Sequence, residues 1–156
     1  MSTKILAIDP GIKRVGWAIV EADQDAIWHR ASGIVPAEEL SPGILLGLVK
    51  DHSPDIAAVE RPAGRVFGGI TNITNTAFMA GQVYGWLDAL LPVRAYFATD
   101  WRLWLTGSPS AKDAAIAAAL SAVVKCLPKK SNPDSRDAMG LGAFGVRQYL
   151  PAKGAA

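Results

Sequence analysis

The apolar run Ile5–Ile8 stops abruptly at a carboxylate, Asp9, turns through Pro10 and Gly11, and resumes as the apolar, β-branched stretch Val15–Val20. This pattern, "KILAIDPGIKRVGWAIV", predicts two strands, residues 3–9 and 15–22, joined by a short Pro-Gly turn. A third run, "AIWHRASGIV" (Ala26–Val35), follows the polar turn "EADQD" and completes an antiparallel meander. Periodicity then changes: Leu40, Ile44, Leu45 and Leu48 fall on one side of a helix with Pro42 near its start. "DIAAVE" reads as a short buried strand ending in a second carboxylate, Glu60, and the glycine-rich, basic stretch Arg61–Ile70 as a loop. A long helix is expected over Asn72–Leu91, with Phe78, Gln82, Gly85 and Trp86 on one face, then a strand at Val93–Ala98. "TDWRLWLTG" predicts a short helix capped by Thr99 or Asp100 and stopped by Gly107. An alanine-rich helix over Ser110–Val124, the linker "LPKKSNP" and a last helix starting near Asp134 complete the chain.

The resulting order, β-β-β-α-β-α-β-α-α, predicts an α/β fold with a mixed five-stranded sheet flanked by helices, the arrangement of ribonuclease H-like proteins. With 156 residues, half of them hydrophobic, the chain can bury one core unaided, so residues 1–150 are expected to form a single domain and "PAKGAA" (151–156) a flexible tail. The single cysteine, Cys126, excludes an internal disulfide, and His29 and His52 lack cysteine partners at zinc-binding spacing. No signal peptide is visible, and "AAIAAALSAVV" is too short to span a bilayer, so no membrane association and a cytoplasmic, reducing location are expected. The net charge of +2 only weakly favours a polyanionic partner; where the charges sit matters more than their sum.

The acids are more informative. Asp9 and Glu60 each close a buried-looking strand; if those strands are neighbours, the two carboxylates emerge side by side and repel unless a cation lies between them. Asp134 and Asp137 stand three apart at a helix start, so both side chains point to one side. Acids in a first helical turn also favour the helix dipole, and an Asp before Pro-Gly is a common turn residue. Taken together, the four carboxylates form an all-oxygen donor set suited to a hard divalent ion such as Mg2+, with Mn2+ able to substitute.

These residues carry a resemblance. "ILAIDPGIKRVGWAIV", "IAAVERP", "GSPSAKDAAI" and "NPDSRDAMGLGAFG", in that order and spread over nearly the whole chain, resemble the RuvC-type Holliday junction resolvases. The resemblance implies a metal-dependent endonuclease that cuts four-way DNA junctions by paired incisions, as a homodimer. Asp9, Glu60, Asp134 and Asp137 match that family's acidic tetrad, and Lys112 matches a lysine that acts near the scissile phosphate. Arg102 falls where a second basic residue is common, and Phe67 near an aromatic residue that wedges into the junction. The interval from Gly107 to Lys112 is one residue shorter than in the bacterial type, and the loop after Glu60 is richer in glycine and arginine, as would suit a phage-encoded or plasmid-encoded relative. Lys13, Arg14, Arg61, Arg65 and Arg136, with Lys129 and Lys130, are the basic residues placed to track DNA phosphates. Two alternatives stay open: a ribonuclease H-like nuclease acting on RNA or branched forks, and a catalytically inactive junction-binding module.

Overall fold

The computed structural model describes residues 2–62 and 70–150. The meander is β1 (Thr3–Pro10), β2 (Arg14–Ala22) and β3 (Ile27–Pro36), antiparallel throughout. After α1 (Pro42–His52) come β4 (Ile56–Arg61), α2 (Ile70–Asp88), β5 (Val93–Phe97), α3 (Ala98–Thr106), α4 (Asp113–Val123), β6 (Val124–Lys125) and α5 (Pro133–Tyr149). Strand order across the sheet is β5-β4-β1-β2-β3-β6, with β4 parallel to both β1 and β5.

Six strands replace the expected five. The extra one is the two-residue β6, which pairs parallel to β3 at Ile27 and Trp28; so short a strand has no period to read in the sequence. Other boundaries moved for local reasons. β5 runs into α3 without a loop, so neither Thr99 nor Asp100 is the cap: Phe97 takes that position, and Asp100 accepts a hydrogen bond from the Phe97 backbone N–H (3.4 Å) from inside the first turn. α4 starts at Asp113 rather than Ser110 because Lys112, in extended conformation, is its N-cap.

Side-chain alternation divides the core in two. In β1, Ile5 and Ala7 face one side with Ile56 and Ala58 of β4, and pack against Trp101, Ile116, Leu120 and Met139 of α3, α4 and α5. Leu6 and Ile8, with Ala57 and Val59, face the other side, under Leu45 of α1 and Val83 and Leu87 of α2. These strands are buried on both faces, which is why they read as continuous apolar runs. By the same period of two, Asp9 and Glu60 belong to the α5 side.

α5 lies unusually close to the sheet. A Cβ on Gly142 would meet Val20 at 2.8 Å and Ala7 at 3.2 Å, and one on Gly145 would meet Ile5 at 2.8 Å. At the head of the helix the glycine belongs to the sheet: a Cβ on Gly16 would lie 2.1 Å from the Asp134 carbonyl oxygen. Asn132 accepts a hydrogen bond from the Asp134 N–H (3.0 Å), and Pro133 occupies the first turn, so the helix start is fixed both locally and from below.

Gly16→Ala therefore pushes backbone against backbone and should cost about 1–3 kcal/mol, whereas Gly47→Ala in α1, with nothing within 4 Å, should gain up to ~1 kcal/mol. Thermal melts followed by circular dichroism check both; equal melting temperatures for wild type and Gly16→Ala would contradict the close contact.

Candidate active site

The pairing of β1 with β4 sets Ile8 beside Val59, and one further step along both strands sets Asp9 beside Glu60. Asp9 pairs across to Gly16 on the other edge of β1. Because Gly16 carries no side chain, the first turn of α5 settles over this corner and brings Asp134 and Asp137 to the same end of the sheet. Three elements distant in sequence thus deliver four carboxylates to one place. The turn after Asp9 is closed by Gly11 N–H to the Asp9 carbonyl (3.2 Å) and by Ala37 N–H to the Lys13 carbonyl (3.0 Å), which directs the chain away from the carboxylate.

The electrostatics record the crowding. Burial, then Glu60, Asp137 and Asp134 in that order, hold the Asp9 carboxyl well above the ordinary range, with Arg102 opposing. Burial raises Glu60 to about 7, against a hydrogen bond from Trp101 and the charge of Arg102, while Asp137 adds to the rise. Asp137 is itself raised by burial, partly offset by Arg102, with Asp113 and Asp134 adding like charge.

Among the described residues, each acid except Asp9 has a protein partner. Trp101, fully buried in α3, donates its indole N–H to Glu60 Oε2 at 2.8 Å. Its neighbour Arg102 donates from Nη2 to Asp137 Oδ2 at 2.8 Å. Arg14 Nε comes within 2.9 Å of Asp134 Oδ2 but off the line of a hydrogen bond, so this buried oxygen has a counter-charge and no donor. Among the described residues, no three acidic, histidine or cysteine side chains close on a single point as a finished metal site would. The donor set nevertheless fits a hard cation: oxygen only, mutually repelling, one oxygen lacking a donor, and two of its members held by arginines that a cation would replace.

Of the other candidate residues, Arg14 and Arg102 pair with these acids and Arg61 follows Glu60 in the chain. Lys112 is exposed at the N-cap of α4, Lys13 is exposed in the β1–β2 turn, and Arg14 opens β2. Arg61 ends β4 beside Glu60, with its guanidinium 4.6 Å from the centre of the Phe97 ring. Glu60 and Arg61 border an open groove of about 490 Å3 running to Gly81 and Tyr84 of α2. Arg136 leaves α5 on a different side from the acids. Arg65 and Phe67 lie outside the described residues. Sequence reasoning missed the role of Trp101: an aromatic in a patterned helix is expected to be core, and it is, but its one polar atom is spent on Glu60. The adjacent Trp101-Arg102 pair was the available signal, since a buried indole needs an acceptor.

No family model matches the chain. Over 151 residues it is 27% identical to the crossover junction endodeoxyribonuclease RuvC of Maricaulis maris, covering 90% of this chain and 89% of that one. The RuvC of Burkholderia multivorans is 26% identical over 146 residues, covering 88% of this chain and 80% of that protein. Among solved structures, T. thermophilus RuvC in complex with a Holliday junction substrate superposes with a TM-score of 0.76 at 17% identity, over 94% of this chain and 96% of that one. The fold is therefore the ribonuclease H-like fold of the junction resolvases, and the chain is a homologue of the RuvC-type Holliday junction resolvases.

Proposed function

We propose that the chain is a divalent-metal-dependent endonuclease that resolves four-way DNA junctions by paired phosphodiester hydrolysis, leaving 5'-phosphate and 3'-hydroxyl ends. The observation that carries this reading is the convergence of Asp9, Glu60, Asp134 and Asp137, from two strands and a helix, on one corner of the sheet. Mg2+, or Mn2+ in its place, would be held by Asp9 with Asp137 and by Glu60, supplying an activated water and neutralising charge on the leaving oxygen.

The protein's own residues do the rest. Trp101 holds one oxygen of Glu60 and so fixes which way the other is presented. Arg14 and Arg102 balance the charge of the two α5 aspartates and stand beside the acids, where their guanidiniums would meet phosphate oxygens of the substrate. Lys112, an exposed cation at the head of α4, supplies charge to the phosphorane as it forms. The groove from Glu60 and Arg61 toward α2 is the path for the cut strand. Paired cutting needs two such sites. The outer face of α2 offers the contact for a second copy: Phe78 is 66% exposed and Gly85 has open space above it, which permits close approach of another helix.

With a labelled four-way junction, a fork and a linear duplex, symmetric paired nicks are expected in the junction, only with Mg2+ or Mn2+. Asp9→Asn should cut more than about 100-fold more slowly while binding the junction; wild-type cutting by this variant would sink the site assignment, and equal cutting of all three substrates would sink junction selectivity.

Raised carboxyl pKa values fix a sign. Folded protein without metal keeps protons on Glu60 up to about pH 7 that the unfolded chain releases near its ordinary 4.5, so the folded state binds more protons in that window. This contribution to stability is present below pH 4.5 and is lost as pH rises toward 7. In EDTA the melting temperature of wild type should therefore fall relative to that of Glu60→Gln between pH 5 and 8. Mg2+ should restore it, since an ion bound only by the folded state stabilises it. Parallel pH profiles for the two proteins would contradict the buried, crowded environment.

Trp101→Phe removes the indole N–H, together with three ring atoms from a fully buried site. Cleavage and Mn2+ affinity, the latter measured by calorimetry without DNA, should each fall roughly 10–100-fold. Unchanged Mn2+ affinity would show that the indole does not orient Glu60.

A further inference from the structure

The flank of α5 turned away from the acids borders an open cavity of about 540 Å3 between α4, α5 and the segment that joins β6 to α5. Lys129, Lys130 and Arg136 line it, together with Ser121, Ser131 and Leu127, and no carboxylate does. Among the described residues none of the three cations has an ion-pair partner. Arg136 Nε is buried there without a hydrogen-bond acceptor. A buried donor left unpaired costs about 1–3 kcal/mol, and beside it stand two exposed lysines with no carboxylate among the lining residues. What the cavity lacks is an anion with several acceptor oxygens. Guanidinium, ammonium and hydroxyl groups together suit a tetrahedral phosphate, and the apolar floor from Leu127 suits the sugar attached to it.

We infer that this cavity is a phosphate subsite, separate from the acidic cluster, which holds a backbone phosphate of the DNA arm beside the cut. Only the source of the phosphate rests on the proposed nuclease reading; the chemistry of the site does not. Arg136 immediately precedes Asp137 and is turned about 100° from it around the helix. Arg136 and Asp137 being consecutive, a DNA arm engaged at the acids has the cavity beside it.

The test is binding of a fluorescent four-way junction in EDTA over a series of KCl concentrations. The proteins are wild type, Lys129→Gln/Lys130→Gln, Arg136→Gln, and Lys50→Gln on the exposed side of α1 as the control. Each cation lost from the cavity should reduce the slope of log K against log salt by about 0.9 and weaken binding about 5–10-fold near 0.1 M salt; Lys50→Gln should change neither. If Arg136→Gln folds poorly, the exposed lysine pair alone decides. In a second arm, inorganic phosphate at constant ionic strength is titrated against the melting temperature. Stabilisation of wild type but not of the lysine variant, with junction slopes unchanged, supports the phosphate site and assigns it a free anion. Unchanged slopes together with no response to phosphate would overturn it. A wild type that binds with the expected slopes but never cuts would defeat the nuclease reading and leave this one standing.

Discussion

The contact between Gly16 and the Asp134 carbonyl is the constraint on which the site depends. An α-helix crosses a sheet at a distance set by the side chains between them, and here those side chains are missing at Gly16, Gly142 and Gly145. α5 can therefore sit low enough for carboxylates on its first turn to reach the end of the sheet where Asp9 and Glu60 stand, near enough to act on their charge. With ordinary side chains in between, the same acids would stand apart and hold nothing in common. The helix is anchored at the other faces too, by Trp101 against Gly140 and by Tyr96 against Phe144, whose rings meet edge to face at 5.2 Å.

Gathering four acids in a half-buried corner opposes folding, and the protein offsets this only in part. Two arginines and an indole compensate three of the acids, while Asp9 has no direct partner among the described residues and its charge is disfavoured by burial and by the other three acids. The partners come from β2 and from two consecutive residues of α3, so the stability of this corner is spread over elements that also form the core. Local rules are broken where the chemistry is placed, and the surrounding packing over-determines the position.

The two faces of the sheet serve different ends. The α5 side is filled by Ile5, Ala7, Trp101 and Met139 and ends in the acids. The other side carries α1 and α2, and α2 keeps its sheet-facing residues Val83 and Leu87 buried while leaving Phe78 and its glycines exposed. One helix thus seals the core from inside and presents Phe78 and its glycines outside, uncovered by the described residues. Arg14, Arg61 and Lys112 stand at the ends of their elements, whereas Lys129, Lys130 and Arg136 are gathered around the cavity beside α5.

Much of this was legible in the residues themselves. Continuous apolar runs in β1 and β4 specify strands buried on both faces, and an acid at the end of each, in phase with the buried positions, puts both on one side. Proline and asparagine fix where α5 begins, and hence which turn carries Asp134 and Asp137. These are local or period-two facts, and sequence encodes them directly. The sixth strand, the N-cap of α3 and the partners of the acids were not legible, because each depends on which distant segment arrives alongside. Trp101 looks like any core aromatic until β4 places Glu60 beside its N–H. Arg14, Arg102 and Arg136 look alike as surface cations until packing directs the first two to aspartates and leaves the third facing a cavity without an acceptor. Sequence by itself determined which groups carry charge and which strands are buried; only the tertiary structure decided which charges meet, because Coulombic and hydrogen-bond energies depend on distances that chain order does not contain.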